Sequence, residues 1–358
     1  MKIVMPDPVG RGAGLGNELI VWAKCIIAGH ILNANALHPA WGANARGYHR
    51  FFGTSRLDFV AYRMLKKVMP TLRFDEAAYY AHGGGDYGQA LQAFAVTNKL
   101  ESRSHYLLLV DGLWGGLDML SNARLPLLAH LLSSRSTASN LYALDAAIPR
   151  DRLRVAMHVR RGDFNAPQSG SAVRGKFNVA LPMDWYLAVM RNLVEYFGNH
   201  VHFLIVSDAP EEDLSIFYSV SGNVVTTKYQ NMTDISDMLA LTYSDFVVCS
   251  VSSFSIWAVF LSSARYGWYE PHLEPLGGVG AVWGSEPLQR AEGSLTSAAA
   301  AFFAQTENAE EKWKFRGIPI GDDGICPNYL LEDLAACLAL KQRSSDLIRY
   351  GIAPLRRR

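Results

Sequence analysis

The chain has 358 residues, of which 49% are hydrophobic and 19% are charged, a composition typical of a folded globular protein. This length is enough for two domains of ordinary size. The formal net charge is only +1, so the basic excess of a nucleic-acid-binding protein is missing. We therefore expect a small molecule or a glycan as the ligand, and no nucleic acid.

The first half of the sequence predicts one clear strand-helix pair and then becomes irregular. A short strand over residues 2–5 precedes a glycine-rich turn over residues 10–16, and an apolar helix begins near Asn17. Because asparagine is a good N-cap, we expect Asn17 to cap this helix. Residues 33–106 are rich in Gly, Tyr, His and Arg, which favours loops and short helices, either as plain connections or in contact with a polar ligand.

After residue 149 the pattern alternates between strands and helices. The predicted strands cover residues 153–159, 202–206, 224–226 and 246–249, and the predicted helices cover residues 183–197, 211–218, 234–243 and 254–264. This alternation indicates a parallel, Rossmann-like sheet, which binds ligands at the carboxyl ends of its strands. We expect domains over residues 1–150 and 151–330, followed by a C-terminal segment over residues 331–358.

The C-terminal segment and the apolar runs bear on location. Residues 332–350 predict an amphipathic helix, which is followed by three arginines at 356–358; these arginines form a solvated tail or touch anionic lipid. The apolar runs 19–32 and 246–261 are too short to span a bilayer, and we find no signal peptide. Four cysteines without a C-x-x-C pair predict reduced thiols. We expect a cytoplasmic protein with at most peripheral contact at the inner membrane face.

The strongest motif, HVRRGDF at residues 158–164, follows the first predicted strand of the second domain. It brings His158, Arg160, Arg161 and Asp163 to a strand end, where a guanidinium can bind a diphosphate with two hydrogen bonds. The alternative is a surface turn closed by an Arg–Asp ion pair. Charge spacing alone does not separate these two interpretations.

Three further polar motifs occupy equivalent places. Ser207 and Asp208 follow the next strand, and either contact a ligand or cap the next helix. Hydroxyls and N–H groups after the fourth strand can bind an anion or form a plain serine-rich cap. The G-x-G turn before the first helix is weak evidence alone, with a tight turn as its alternative. The candidate residues after the fourth strand are Ser252, Ser253 and Phe254, and those of the G-x-G turn are Gly16, Asn17 and Glu18. Asp237, on a predicted helix, is a further candidate.

Other chemistries lack their motifs. The sequence contains no H-E-x-x-H, no G-x-x-x-x-G-K-[ST] loop and no G-x-S-x-G elbow. It also lacks a D-x-D pair, the usual way in which a metal ion is held against a sugar nucleotide. We therefore expect no metal site, and we expect Arg160 and Arg161 to neutralise the anionic ligand.

Taken together, four ordered motifs resemble those of the GDP-fucose-dependent fucosyltransferases, which include α-1,2-, α-1,6- and protein O-fucosyltransferases. The likeness is greatest to the α-1,2 enzymes of bacteria and animals. The motifs are GLGNE at 14–18, HVRRGDF at 158–164, SD at 207–208 and DMLALTYSDFVVCSVSSFSIW at 237–257. The resemblance implies an α/β, GT-B-like fold in which two Rossmann-like domains face a cleft. The acceptor-side domain would come first and the donor domain second, and the C-terminal helix would return to the first domain.

The resemblance also implies a reaction: metal-independent, inverting transfer of L-fucose from GDP-β-L-fucose to a glycan hydroxyl, with an α-1,2 link to galactose. A lipid-linked oligosaccharide would suit the basic tail as acceptor. Arg160 occupies the position that binds the β-phosphate. His158 and Asp237 occupy guanosine-contacting positions, and Asn17 faces the donor sugar. Ser252, Ser253 and Phe254 occupy the nucleotide-binding turn.

Departures from the family pattern leave several points open. Glu18 replaces the usual glutamine, Ile256 replaces a tryptophan, and residues 35–102 align with nothing in the family. The general base is Asp163 or Glu18, unless the reaction proceeds without one. The alternative functions are transfer from another GDP-sugar, formation of another linkage, and a non-catalytic module that binds a GDP-sugar or a glycan.

Overall fold

A computed structural model describes residues 1–7, 14–162, 179–227, 234–274, 278–283 and 316–351, without the side chains of residues 118, 281 and 344–351. The chain divides into two compact units, Met1–Ala138 and Ser139–Arg358. Within the described ranges, no helix has the length and apolar character needed to cross a membrane. The cysteines Cys25, Cys249 and Cys326 are buried, and none of the four cysteines, all of which the structure describes, forms a disulfide.

Among its described residues, the first unit contains four strands and the helices between them. They are β1 (Lys2–Pro6), α1 (Leu15–Ile31), β2 (Asn35–Ala36), α2 (His49–Phe52), α3 (Asp58–Val68), β3 (Thr71–Phe74), α4 (Glu76–Ala81), α5 (Tyr87–Thr97), β4 (Tyr106–Val110), α6 (Arg124–Leu132) and the start of α7 (Thr137–Ala147), with 3₁₀ turns at Trp41–Ala43 and Leu117–Ala123. All strand pairs are parallel, in the order β2-β1-β4-β3. Every residue of β4 is buried, as expected for a parallel strand covered on both faces.

A buried lysine ties the centre of this unit together. Lys24 of α1 is 1% exposed, and its Nζ donates to the main-chain oxygens of Gly112 at 3.0 Å and Trp114 at 2.8 Å. The same ammonium lies 3.4 Å from the centroid of the Trp114 ring, an arrangement that favours a cation. Burial acts in the opposite direction and lowers the pKa of Lys24 to about 7. The loop after β4 is therefore fixed to α1.

In the parts of the second unit that the structure describes there are six strands. Its elements after α7 are β5 (Leu153–Val159), α8 (Met183–Phe197), β6 (Val201–Ser207), α9 (Glu211–Tyr218), β7 (Val224–Thr226), α10 (Asp234–Thr242), β8 (Phe246–Val248), α11 (Ser253–Leu261), β9 (Arg265–Tyr269), α12 (Glu270–Leu273), α13 (Val279–Val282), β10 (Gly317–Ile320) and α14 (Asn328–Gly351), with a 3₁₀ turn at Gly198–His200. All strand pairs are parallel, in the order β10-β9-β8-β5-β6-β7.

Alternate residues of the central strand face opposite layers of this unit. Val155, Met157 and Val159 of β5 join a core that also contains side chains of α8, α9 and α14. Because side chains alternate along a strand, Ala156 and His158 face the other side of the sheet. There α10 packs against β5 and α11. This alternation places His158 in the layer formed by α10 and α11.

The sequence predicts the α/β class with two Rossmann-like units, as in a GT-B-like protein. These two parallel sheets confirm that class. The unit boundary lies after residue 138 rather than after residue 150. Asn140 of α7 donates to Ser236 of α10 at 2.9 Å, and Leu144 and Ile148 are buried. These contacts join α7 to the second unit, so the change of pattern after residue 149 marks the start of β5 and not a domain boundary.

The C-terminal helix belongs to the second unit. Leu330, Leu331, Leu334 and Leu338 of α14 lie in the core of that unit, and each buried leucine stabilises the packing by about 1.5–3 kcal/mol. The beginning of the separate segment expected from residue 331 is thus part of the core of the second unit. Packing of its later part on the first unit stays a prediction, and the arginines at 356–358 lie outside the described residues.

Two local predictions in the first unit are wrong. Helix α1 begins at Leu15, its N-cap is Gly14, and no side chain caps it, so Asn17 is helical and is not the cap. Residues 33–106 also contain more regular structure than loops and short helices, since α3 and α5 have 11 residues each. In α3 only Tyr62 is buried, while Val60, Met64 and Val68 are exposed, so its apolar residues do not mark a buried face.

Candidate functional site

The order of the strands defines where a ligand can enter the second sheet. From β5 the chain adds β6 and β7 on one side and then returns to place β8 on the other side of β5. In open α/β sheets, ligands bind where the strand order reverses, outside the carboxyl ends of the strands. That point lies between β5 and β8. The polar motifs that follow β5 and β8 therefore meet there.

His158, near the end of β5, is held by two serines from beyond β8. It is 4% exposed, and its Nδ1 lies 2.6 Å from the Ser255 hydroxyl and 2.9 Å from the Ser250 hydroxyl. The ring of Phe254 is 5.1 Å away between centroids, and Tyr186 donates to the main-chain oxygen of His158 at 3.0 Å. Burial, followed by the positive charge of Arg160, lowers the pKa of His158 to about 3. The imidazole is therefore neutral at neutral pH.

This burial predicts a specific loss of stability in acid. The pKa of His158 is about 3 in the fold and about 6.5 in an unfolded chain, so between these values the unfolded state binds the extra proton. The stability is complete above the unfolded value and is lost as the pH falls towards the folded one. When the pH is lowered from about 6.5 to about 4.5, the free energy of unfolding measured in urea should fall by about 2–3 kcal/mol more in wild type than in His158→Gln. Equal losses in the two proteins would contradict a buried, neutral His158.

Arg160 is paired with the aspartate of the next strand. Its Nη1 lies 2.5 Å from Oδ2 of Asp208, and the two side chains are 22% and 27% exposed. The other carboxylate oxygen accepts the N–H of Arg161 at 2.7 Å. Burial alone would raise the pKa of Asp208, but the N–H groups of Arg161 and Gly162 and the charge of Arg160 lower it below its usual value. The Arg–Asp ion pair of the alternative interpretation therefore exists, although its aspartate is the residue that directly follows β6.

A side chain on Gly162 would prevent this arrangement. A Cβ there would lie 2.5 Å from Oδ2 of Asp208, which is closer than a real contact. The turn of residues 160–162 thus wraps the carboxylate with main-chain donors, and the carboxylate in turn holds the Arg160 guanidinium at the carboxyl edge. Asp163, the other predicted carboxylate of this motif, lies outside the described residues.

Ser207 has an internal role. Its hydroxyl donates to the main-chain oxygen of Val159 at 2.6 Å and accepts the N–H of Ala209 at 3.0 Å. These bonds join the ends of β5 and β6. The N-cap of α9 is Pro210, without a side-chain cap, so the alternative in which Ser207 and Asp208 cap that helix is wrong.

The serine turn after β8 begins α11. Ser252 is the N-cap, and its hydroxyl accepts the N–H of Ser255 at 3.3 Å. Ser253 and Phe254 are half-buried in the first turn, where helix N–H groups favour an anion. Asp237 lies near the start of α10, which packs against both β5 and α11. The cap of the alternative interpretation is present, and anion binding at the same turn stays a prediction.

Gly16, Asn17 and Glu18 lie in the first unit, at the start of α1. Glu18 is half-buried, and its Oε1 accepts a hydrogen bond of 2.8 Å from Nδ2 of Asn44. Burial raises the pKa of Glu18, while the bond from Asn44 opposes this and lowers it. A carboxylate with a raised pKa is suited to general-base work near neutral pH.

Sequence reasoning missed four residues of these two sites. Ser250 and Ser255 belong to the recognised serine run, but nothing local showed that they hold His158. Tyr186 and Asn44 carried no motif at all. Among the residues that the structure describes, no group of three or more His, Cys, Asp or Glu side chains could hold a metal ion. Independence from metal stays a prediction.

No protein-family model matches the sequence, and no curated protein sequence does either. Several solved structures are similar in outline. POFUT1 in complex with GDP is similar over 75% of this chain and 98% of that one, at 12% identity and a TM-score of 0.44. A glycosyl transferase of family 9 from Veillonella parvula DSM 2008 is similar over 95% and 97%, at 8% identity and a TM-score of 0.40.

The spinosyn rhamnosyltransferase SpnG is similar over 98% of this chain and 96% of that one, at 15% identity and a TM-score of 0.31. Values this low carry no argument about function. The class of the protein follows from its own architecture: a GT-B-like α/β protein of two parallel-sheet units. The second unit has an Arg-Asp-His-Ser cluster at its strand-order reversal.

Proposed function

We propose that this protein is a metal-independent, inverting glycosyltransferase that moves L-fucose from GDP-β-L-fucose to a glycan hydroxyl, with an α-1,2 link to galactose. One observation carries the proposal. The guanidinium of Arg160 is held by Asp208 at the carboxyl edge of the sheet, at the same strand end as His158 and its serines. A sugar nucleotide needs such a place for its diphosphate.

The charge of the cluster suits a departing nucleoside diphosphate. Fucosyl transfer passes through an oxocarbenium-like transition state, in which negative charge develops on the leaving GDP. Arg160 is only 22% exposed, so its attraction for an oxyanion is screened less than that of a surface arginine. Because Asp208 positions the guanidinium beforehand, little reorganisation is needed during the reaction. Arg161 adds a second positive charge to the same turn.

The neighbouring groups suit the rest of the donor. The first-turn N–H groups of Ser253 and Phe254 can share the diphosphate charge with Arg160. Because His158 is neutral, it would offer the carbonyl or amine of the guanosine base an uncharged partner. We assign His158 and Asp237 to the guanosine side and Asn17 to the sugar side. A lipid-linked oligosaccharide as acceptor is part of the same proposal.

The decisive experiment measures transfer from GDP-β-L-fucose, GDP-mannose and GDP-rhamnose to a glycan panel rich in terminal galactose, with EDTA present throughout. We expect a product only from GDP-fucose, and an anomeric coupling constant that shows an α-fucoside. Loss of activity in EDTA would contradict the metal-free mechanism. Transfer from another GDP-sugar would correct the donor. Tight GDP binding without any product would support a binding module instead.

A further inference from the structure

A polar cavity lies in the first unit. It has a volume of about 330 Å³ and is lined by residues 42–47, 49, 50 and 56. This size is at the lower end of the range for small-molecule sites and gives room for one sugar ring. It falls within residues 35–102, the stretch of sequence that no family motif covers.

Main-chain geometry builds one wall of the cavity. A Cβ on Gly42 would lie 2.3 Å from the main-chain oxygen of Arg56 and from Oδ1 of Asp58, so only glycine fits. The N–H of Gly42 donates to that same Asp58 oxygen at 2.9 Å. Gly47 has φ +73°, a conformation that favours glycine. The wall is therefore fixed by the backbone.

Asn44 fixes the opposite end of this wall and connects it to the candidate base. Its side chain is 6% exposed, accepts the N–H of Arg46 at 2.9 Å and donates to Glu18 at 2.8 Å. The carboxylate of Glu18 thus lies one side chain beyond the cavity lining. A ligand in the cavity would be close to Glu18, one of the two candidate bases.

The charge of the lining is of one sign. Three lining residues are the exposed arginines Arg46, Arg50 and Arg56, and none is Asp or Glu. Within the described parts of the chain, neither Arg50 nor Arg56 has a carboxylate partner. The nearby acids, Asp58 and Glu18, are bound behind the lining to Gly42 and Asn44. Arginine forks match the geometry of carboxylates and phosphates, so the lining suits an oxyanion.

His49 is a further polar residue of the lining. It lines the cavity and is 9% exposed. Its Nδ1 is buried and makes no hydrogen bond to any residue that the structure describes. A buried polar atom without a partner is costly, and this one is closed to solvent, so the arginines, and not this nitrogen, are the groups that a ligand in the cavity would meet.

We propose that this cavity binds an oxyanion carried on a sugar, either the carboxylate of an acidic sugar or a phosphate ester. On the proposed function, this sugar is part of the glycan acceptor, which the cavity presents to Glu18. The site is thus selective for acidic glycans. The same charge chemistry serves a uronate and a sugar phosphate, and the experiment separates them.

Binding is tested first, without any donor. Glucuronic acid, galactose 6-phosphate and galactose are titrated into the full chain by isothermal calorimetry and by ligand-observed NMR. We expect binding of at least one anionic sugar, no detectable binding of galactose, and a loss of about 10-fold or more in Arg50→Gln/Arg56→Gln. The matched control is Arg103→Gln, which removes an exposed arginine of the same unit outside the cavity and should leave binding unchanged.

Several outcomes would overturn the inference. These are equal binding of neutral and anionic sugars, no anionic binding at millimolar concentration, and equal loss in the control and the double variant. A fall in GDP affinity in Arg50→Gln/Arg56→Gln would assign the cavity to the donor instead. If an anionic sugar binds but no fucose is transferred, the proposed function fails and the oxyanion site stands. If neutral glycans are fucosylated equally by wild type and the double variant, the site fails and the function stands.

Discussion

Replacing Arg160 with alanine should lower kcat for fucosyl transfer by about 10²–10³-fold, because one preorganised contact to a developing negative charge is typically worth that much. The loss should appear mainly in kcat, since the interaction strengthens as the glycosidic bond breaks. GDP, which carries the same charge as the leaving group, should bind more weakly. Steady-state kinetics with GDP-fucose and calorimetric titration of GDP measure the two effects.

The matched control is Asp208→Asn. This change keeps the positive charge and removes its carboxylate partner, so it tests whether Arg160 serves only to hold the turn of residues 160–162. If Arg160 acts on the donor, Asp208→Asn should reduce kcat far less than Arg160→Ala. If the ion pair is only a structural tie, both variants should melt earlier by similar amounts and bind GDP like wild type. That second result would refute the assignment of Arg160.

Replacing Glu18 with glutamine should lower kcat by about 10²–10⁴-fold, the usual contribution of a general base. Glutamine keeps an oxygen that can accept the hydrogen bond from Asn44, so the local fold should be preserved. In wild type, burial raises the pKa of Glu18, and only the ionised form accepts a proton. The rate should therefore rise with pH through a pKa above the ordinary glutamate value, and Glu18→Gln should lose this acidic limb.

Asn44→Ala separates a base from a structural carboxylate. The hydrogen bond from Asn44 lowers the pKa of Glu18, so its removal should move the acidic limb to higher pH while activity at high pH persists. A merely structural Glu18 would not shift the limb. Full turnover in Glu18→Gln would direct attention to Asp163→Asn, and full turnover in both would indicate a reaction without a base.

Much of the second unit was readable because local signals agreed with the final sheet. Strand β5 and the helices α8 and α9 have the predicted bounds. Each of these apolar or amphipathic runs ends at a polar motif or a turn. Strands β9 and β10 were missed. The sequence of β9 is RYGWY and that of β10 is GIPI, and Gly and Pro inside such short runs indicate turns. Pro319 is tolerated because β10 lies at the edge of the sheet.

The sequence predicts the motif residues of the candidate site but not the residues that hold them. The motifs placed His158, Arg160 and Asp208 at strand ends, because each follows an apolar run. They did not show that His158 would be buried against Ser250 and Ser255, 92 and 97 positions later. Those partners are selected by the order of the strands, and hydrophobic periodicity does not encode that order. For the same reason the carboxylate partner of Arg160 directly follows β6 and does not belong to the motif of Arg160 itself.

Because β8 lies beside β5, the His158 cluster can form only after the sheet of the second unit is complete. The serine half of the His158 network joins the histidine half only when a segment that emerges much later has inserted next to the first strand of the unit, and such distant pairings form slowly. Nucleotide added during refolding should find no competent surface until that insertion. Once bound, it should raise the melting temperature in proportion to the logarithm of its concentration. A ligand-induced thermal shift thus distinguishes chains that have closed this sheet from compact chains that have not.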